Sequence, residues 1–200
     1  MSAYSHYPLE AIAAVFVGLA RHGNVLGSQK YGLQVSLIGM KAIGESGVDW
    51  EAIETVNLAP EADVASSQVA AGDVVLTCRG TAVRVALLPE RATGMLIDSN
   101  LIAVRCGPQM QPELLAAFFR YPAGREILER ASQSTTRQKN LTLKAVRRIM
   151  LPVPPLPKQE QMVALLRAAD RQHNLALAAA AQRLALAQNL VVHTLLENGE

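Results

Sequence analysis

Apolar residues recur every three or four positions along the C-terminal part of the chain. Residues 158–197 hold no glycine or proline, so this pattern predicts one continuous helix. About 40 residues make a helix of roughly 60 Å, whereas a compact domain of this size is only roughly 30–40 Å across. The helix therefore either folds back as a hairpin or projects, and a projecting apolar stripe requires a partner helix. The stripe residues that we predict to make this contact are Leu166, His173, Leu177, Leu184, Val191 and Leu195.

The first 110 residues show instead short apolar runs separated by glycine and proline, a pattern typical of strands and tight turns. The most prominent run spans residues 74–81, and residues 83–88 and 101–104 form two more. One early helix is predicted over residues 8–18, where several apolar side chains fall on one face. This part of the chain therefore predicts short strands with one helix.

Helical patterns become frequent after residue 110. Residues 112–121 and 124–132 predict two helices, the first with a proline in its first turn. A third, short helix follows and is capped by Asn140 or Thr142. Residues 132–140 are polar without an apolar face, so we predict a loop there.

A proline-rich segment separates these elements from the long helix. The four prolines from Pro152 to Pro157 cannot continue a helix and favour an extended, rigid junction. The sequence therefore predicts an α+β fold in three parts. These are a compact domain of short strands and helices over residues 1–150, a junction over 151–158 and a long helix over 159–200.

The composition agrees with a globular protein, since 50% of the residues are hydrophobic, 18% are charged and the net charge is +2. This small net charge conceals an uneven distribution along the chain. Residues 1–75 carry 3 basic and 8 acidic residues, a net charge of −5. Residues 76–158 carry 13 basic and 5 acidic residues, a net charge of +8. Residues 159–200 carry 3 basic and 4 acidic residues, a net charge of −1. The basic middle segment points to a polyanionic partner.

Several classes of protein are disfavoured by the residues present. Cys78 and Cys106 cannot form a disulfide framework and lack the paired histidines of a zinc site, so we interpret them as reduced thiols. Phosphate-binding loops, His-Glu-x-x-His, nucleophile elbows and the common nuclease and amino-methyltransferase patterns do not occur, so we expect no enzymatic activity, cofactor or metal. Aromatic residues make up only 4%, which disfavours base stacking on single strands.

The longest uncharged apolar run near the N-terminus covers residues 11–20, about half of the roughly 20 residues that a membrane span needs. Glu10 precedes this run and no basic residue does, which is unlike a secretory signal. We therefore expect a soluble, cytoplasmic protein that has no membrane partner.

Three segments carry further motifs. Residues 72–81 read Gly-Asp-Val-Val-Leu-Thr-Cys-Arg-Gly-Thr, and residues 149–161 read Ile-Met-Leu-Pro-Val-Pro-Pro-Leu-Pro-Lys-Gln-Glu-Gln, with Leu-Thr-Leu at 141–143 before them. Residues 7–13 read Tyr-Pro-Leu-Glu-Ala-Ile-Ala. Together these segments resemble the specificity subunits of type I restriction–modification systems. They are similar to the recognition-domain strand and turn, the exit into the spacer helix, and the beginning of the domain.

The resemblance implies a non-catalytic, DNA-binding subunit. The family's usual subunit carries two recognition domains, each reading one half of a split site in duplex DNA. Two long helices pack together and dock adenine methyltransferase subunits, and some systems add a restriction subunit. This chain has one such domain and one such helix, so it resembles a half-size form. Two copies would rebuild the usual arrangement as a homodimer through their helices, whereas pairing with a different half is the alternative.

We expect the DNA contacts to come from a strand end and from polar loops. Arg79 and Thr81 lie at a strand end, where an arginine either reaches DNA or bonds carbonyls within its own turn. Arg84 follows in the next run, and Lys41 flanks a glycine-rich turn; each is either a DNA contact or a surface residue. The polar loop offers phosphate ligands or is simply solvated, and its candidates are Ser134, Thr135, Arg137, Lys139 and Asn140.

Two other functions remain open from the sequence. In the first, the chain is an orphan, non-catalytic interaction protein that pairs with or competes against a full specificity subunit without binding DNA strongly alone. In the second, it is an enzyme with an unrecognised site. Retention of DNA distinguishes the first from a recognition subunit, and modification of DNA by the purified chain would indicate the second.

Overall fold

The structure is a computed structural model that describes residues 4–26, 32–45, 47–134 and 139–197. The chain divides into two compact units, Met1–Gln159 and Glu160–Glu200. The helices are α1 (Leu9–Ile12), α2 (Pro112–Arg120), α3 (Pro122–Ala131), α4 (Leu143–Arg147) and α5 (Leu156–Glu197). The strands are β1 (His6–Pro8), β2 (Ala13–Val17), β3 (Val25–Leu26), β4 (Leu33–Ile38), β5 (Glu54–Leu58), β6 (Val74–Thr77), β7 (Arg79–Gly80), β8 (Val85–Leu87), β9 (Leu96–Ile97), β10 (Leu101–Cys106), β11 (Gln133–Ser134), β12 (Lys139–Asn140) and β13 (Met150–Pro152). This mixture confirms the predicted α+β class.

A four-stranded antiparallel sheet in the order β2-β10-β6-β8 forms the core of the first unit. β10 is an interior strand, and its Ile102 lies opposite Val17 on one side and opposite Leu76 on the other. All of β6 and the first four residues of β10 are buried. A strand covered on both faces is apolar throughout rather than alternating. This explains why residues 74–77 and 101–104 stand out in the sequence.

The two faces of this sheet pack against different neighbours, because successive side chains of a strand point to opposite sides. On one face, Val74 and Val104 belong to a buried cluster that includes Phe119 and other residues of α2, α3 and α4. On the other face, Val75 and Ala103 belong to a cluster with residues of β4 and β9. The first unit is therefore layered, with helices on one face of the sheet and more strands on the other.

Two smaller sets of strands complete the first unit. β4 and β9 are parallel neighbours in a second sheet of order β3-β5-β4-β9. β1 pairs with β13, so that His6 lies opposite Pro152, and the backbone N–H of Leu9 donates to the carbonyl of Ile149 at 2.9 Å. Hydrogen bonds therefore join two segments that lie far apart in the sequence, just before and after the body of the domain.

The early helix predicted over residues 8–18 is wrong beyond its first turn. α1 has only four residues and no side-chain cap, and the chain continues directly as β2. β2 pairs with β10 along its length, Val17 lying opposite Ile102, so bonds between strands replace helical ones. Gly18 follows this strand, and a Cβ added to it would lie 2.2 Å from the carbonyl oxygen of Asp98. Only glycine permits so close an approach.

The helices predicted after residue 110 are present. Thr142 caps α4, since its Oγ1 accepts a hydrogen bond from the backbone N–H of Ala145 at 3.2 Å, so the cap is Thr142 rather than Asn140. α5 begins at Leu156, within the predicted junction. Pro157 lies in its first turn, where the missing N–H of a proline would have no helical partner in any case.

A buried glutamine holds the first turn of α5. Gln159 has no exposed surface, and its Oε1 accepts from the backbone N–H of Gln111 at 2.8 Å. Its Nε2 donates to the carbonyls of Gln109 and Pro154, at 2.9 and 2.7 Å. Both ends of the side-chain amide are therefore satisfied by backbone groups, as burial of a polar group requires.

α5 is long and carries exposed apolar side chains. Its 42 residues correspond to a length of about 63 Å, and one window of 18 residues reaches a mean hydropathy of 1.4. Among the described helices, this one alone is long and apolar enough to cross a membrane by these measures. Length and composition are weak evidence for a membrane span, because a helix that packs against other helices meets the same criteria.

A buried carboxylate ties the turn before β6 to the interior strand β10. Asp73 is 1% exposed, and its carboxylate accepts from Nε and Nη2 of Arg105 at 2.9 and 2.7 Å and from the backbone N–H of Ala70 at 2.8 Å. Nη2 of Arg105 also donates to the carbonyl of Gln68 at 3.1 Å. The hydrogen bonds to Asp73 raise the pKa of Arg105. One ion pair therefore joins a turn to the sheet.

We expect Asp73→Ala to lower the free energy of unfolding by about 2–3 kcal/mol, because three hydrogen bonds are lost. Arg105 is 46% exposed and stays hydrated, which keeps the loss below that of a fully buried unpaired charge. Urea denaturation followed by circular dichroism measures the change. Arg130→Ala is the control, since the ion pair of Arg130 with Glu126 is exposed and contributes about 0.5 kcal/mol or less. Equal stability of the two variants would contradict the assignment.

Candidate nucleic-acid interface

A three-stranded sheet joins two sequence-distant groups of predicted contact residues. β12 pairs with β11 on one side and with β7 on the other. Asn140 lies opposite Arg79, and Lys139 lies opposite Gly80. The loop predicted over residues 132–140 is therefore wrong at both ends, where the backbone forms strands. Pairing with β7, rather than an apolar pattern of its own, makes this polar segment extended.

Beside β7 lies a cavity of about 310 Å³, which we call the first cavity. It contains four of the predicted contact residues, contributed by two separate parts of the chain. Lys41 comes from the 3₁₀ turn Met40–Ala42, and the others come from the segment between β6 and β8. The lining residues are Met40, Lys41, Thr77, Arg79, Gly80, Thr81, Ala82 and Arg84.

The turn that carries Arg79 and Thr81 is fixed from its inner side. Thr77 is 1% exposed, and its Oγ1 accepts a hydrogen bond from the backbone N–H of Arg84 at 2.9 Å. Gly80 has a φ of 123°, a region that favours glycine. Polar side chains at the edge of the cavity are thus held on a rigid base, as is common for binding residues.

The cations around the first cavity differ in what holds them. Nη1 of Arg84 donates to the carbonyl of Ile43 at 3.1 Å, so this side chain links its own turn to the chain after Lys41. Arg79 is exposed and forms no hydrogen bond or ion pair with another described residue. The interpretation of Arg79 as a carbonyl ligand within its turn therefore finds no support among the described contacts, whereas part of the Arg84 guanidinium does have this structural role.

One acidic residue interacts with the charge of Lys41. Glu54 forms a bidentate ion pair with Arg21, with distances of 2.7 and 3.0 Å. The hydrogen bond from Arg21 is the main cause that lowers the pKa of Glu54, and the charge of Lys41 adds to it. Since Arg21 already occupies this carboxylate, the exposed ammonium of Lys41 remains available to another anion.

The remaining predicted residues are distributed over two elements and one undescribed stretch. Ser134 lies in β11, and Lys139 and Asn140 lie in β12, next to β7. Thr135 and Arg137 lie outside the described residues. In α5, Leu166 is partly buried, and the other predicted contact residues are exposed: His173, Leu177, Leu184, Val191 and Leu195.

A second, smaller cleft of about 140 Å³ adjoins the first cavity and shares three residues with it. Sequence reasoning missed Arg120 and Arg125, which lie in α2 and α3. The excess of basic residues over 76–158 is a signal that includes them, but only the packing of α2 against β8 and of α3 against α2 brings them to this turn. The lining residues are Gly44, Glu45, Thr81, Ala82, Val83, Arg84, Val85, Arg120 and Arg125.

The structure offers binding groups rather than reactive ones in its described part. Cys78 and Cys106 are free, and burial raises the pKa of both thiols, that of Cys106 to about 12. A thiol with so high a pKa is a poor nucleophile at neutral pH. Within the described ranges, no group of three or more His, Cys, Asp or Glu residues is placed to hold a metal ion.

Comparison with known protein families identifies the class of the protein. The family described as the type I restriction modification DNA specificity domain matches residues 47–180, which is more than half of the chain. The chain therefore belongs to this family, and the resemblance found in the sequence is confirmed. The family's description names a DNA specificity domain of type I restriction–modification systems.

Solved specificity subunits have a similar fold. The HsdS subunit from Thermoanaerobacter tengcongensis matches with a TM-score of 0.60 and 17% identity over 86% of this chain and 43% of that chain. A chain from a structure on complex assembly and conformational transition of the type I restriction–modification system matches with a TM-score of 0.62 and 18% identity. The match covers 95% of this chain and 44% of that chain. The S subunit from M. genitalium matches with a TM-score of 0.51 and 11% identity, over 86% of this chain and 41% of that chain. The chain thus spans less than half the length of these subunits. No curated protein sequence matches it.

We expect Gly80→Ala to destabilise the protein by about 1–2 kcal/mol, because φ at this residue lies in the region that disfavours a Cβ. Crowding contributes little, since the added Cβ would meet no atom closer than the carbonyl oxygen of Ala82 at 3.8 Å. Gly44→Ala, at a glycine without positive φ, is the control. Thermal unfolding of both variants provides the measurement, and a Gly80→Ala variant as stable as the control would show that the backbone is not strained there.

Proposed function

We propose that the chain is a half-size specificity subunit that reads one half of a bipartite site in duplex DNA. The observation that carries this proposal is the first cavity, which gathers Lys41, Arg79, Thr81 and Arg84 beside the β11-β12-β7 sheet. Groups of predicted contact residues that lie far apart in the sequence thus meet at one surface. The fold and the family agree with this role.

The chemistry of this surface suits the edges and phosphates of a duplex. Guanidinium and ammonium groups and a hydroxyl provide hydrogen-bond donors for guanine and for phosphate oxygens. None of the described residues that line the first cavity is aromatic, so these residues provide no surface for stacking of an extruded base. The net charge of +8 over residues 76–158 adds a general attraction for DNA.

The long helix supports the proposal of a dimer. Large apolar side chains are exposed on the predicted stripe, Leu177 at 57% and Leu184 at 61%, and also off it, Leu175 at 71% and Leu186 at 60%. A helix that is apolar on several sides requires more than one neighbour. We infer that a second copy covers the stripe and that an adenine methyltransferase subunit covers other sides. A restriction subunit would join the same complex, and all of these partners are cytoplasmic.

Two identical halves would read a palindromic split site, because the symmetry of a homodimer carries over to its target. Pairing with a different half would give an asymmetric site. Methylome sequencing of cells with and without the gene distinguishes the two cases by the symmetry of the modified sequence.

The alternative function is that of a non-catalytic interaction protein that pairs with or competes against a full specificity subunit. The exposed apolar helix favours this alternative as much as it favours the dimer. A gel shift discriminates between the two, since the alternative predicts no retention of DNA even when the methyltransferase is present.

We expect Arg79→Ala to weaken binding to the target sequence, as identified by methylome sequencing, about tenfold or more. The reason is that an arginine contact to a base contributes about 1–3 kcal/mol. Fluorescence anisotropy with target and random duplexes provides the measurement. A loss confined to the target assigns Arg79 to a base edge, and an equal loss on both duplexes assigns it to phosphate. Arg130→Ala is the control for charge. Unchanged affinity in Arg79→Ala, with a normal unfolding midpoint, would contradict a DNA contact.

We expect the double variant Leu177→Asp, Leu184→Asp of the full chain to sediment as a monomer, because two buried carboxylates would oppose helix pairing. Analytical ultracentrifugation measures the mass of wild type and variant. Gln182→Asp, off the stripe, adds a carboxylate on the same helix and should leave the dimer intact. A monomeric wild type, or its recovery in the membrane fraction, would contradict the proposed assembly.

A further inference from the structure

We propose that the second cleft binds a backbone phosphate of the DNA and that Arg125 is the principal contact. This inference rests on the proposed function and adds to it a subsite and a class of contact. The first cavity would then read the target, while the second cleft holds the strand in register beside it. Contacts to phosphates commonly position a protein on DNA in this way.

The three arginines of the second cleft are not equivalent. Nε of Arg120 donates to the carbonyl of Val85 at 3.1 Å, and Nη1 of Arg84 donates to the carbonyl of Ile43. Each guanidinium group therefore uses at least one of its donors in a hydrogen bond that stabilises the fold. Arg125 is exposed in the first turn of α3, and its side chain forms no hydrogen bond or ion pair with another described residue. None of its guanidinium donors is therefore used by another described residue.

The same helix provides a contrast. Arg130 lies further along α3, is also exposed, and forms an ion pair with Glu126, one turn away. Its charge is compensated locally, whereas that of Arg125 lies at a cleft with two more guanidinium groups. An excess of positive over negative charge at a concave surface favours a phosphate, which accepts hydrogen bonds from several guanidinium groups at once.

Continuity with the first cavity identifies the source of this phosphate as DNA. Thr81, Ala82 and Arg84 line both the first cavity and the second cleft. A nucleic-acid strand that lies across this turn would therefore contact both. None of the described residues that line the second cleft is aromatic, so they offer charge and hydrogen bonds rather than a stacking surface for a base or a nucleotide ring.

Glu45 opposes this occupant and so provides a second test. Its carboxylate also lines the second cleft, and it forms no ion pair with another described residue. A negative charge at this position repels a phosphate. Removal of that charge by Glu45→Gln should therefore tighten DNA binding, although a carboxylate that accepts a hydrogen bond from a base amino group would give the opposite result.

The experiment measures the affinity of the full-length chain, alone and with its methyltransferase, for a labelled random-sequence duplex between about 50 and 200 mM salt. We expect Arg125→Ala to weaken binding roughly three- to tenfold and to reduce the slope of log K against log salt by about 0.9, the value for one phosphate contact. The loss should be equal for random and target duplexes. Arg130→Ala should leave both quantities unchanged, and Glu45→Gln should strengthen binding about twofold or more.

Each outcome decides the proposal. If wild type binds DNA while Arg125→Ala behaves like Arg130→Ala, the phosphate subsite is wrong and the proposed function stands. If Glu45→Gln weakens binding of the target alone, the second cleft reads a base and the phosphate assignment is overturned. If wild type retains no DNA in the presence of the methyltransferase, both proposals fail. Circular dichroism of Arg125→Ala should match wild type, because the side chain is exposed.

Discussion

The first unit depends on the interior position of β10. This strand pairs with β2 on one side and with β6 on the other, and its first four residues are buried on both faces. Its backbone hydrogen bonds are thereby shielded from water, and its side chains divide between two apolar clusters. Helices cover one face and further strands the other, so the remaining elements take their places from this sheet.

The candidate interface follows from the same sheet. β6 and β8 place the turn between them at its edge, and the buried hydroxyl of Thr77 holds that turn from within. Arg79 and Gly80 then leave the sheet and pair with Asn140 and Lys139. The apolar interior thus supports a polar segment whose backbone is fixed while the side chain of Arg79 stays exposed. Such an arrangement separates the residues that maintain stability from those that meet a ligand.

The helix α5 obeys a different constraint. Its helical backbone hydrogen bonds are local, so it forms from sequence pattern and propensity without pairing between distant strands. Exposed leucines on several sides leave its apolar surface to be covered by other molecules. The chain therefore has two stretches of different character, one basic and folded around a sheet, the other nearly neutral and apolar.

The sequence by itself determined the features that depend on local pattern. The long helix, α2, α3 and α4 follow from 3.6-residue periodicity, and buried strands such as β6 follow from continuous apolar runs. Only the tertiary structure decided that residues 13–17 form a strand rather than a helix, because their partner β10 lies far along the chain. It also placed Lys41, Arg79 and Arg125 around one turn. No local pattern encodes such proximity, because it arises from pairing and packing between distant segments.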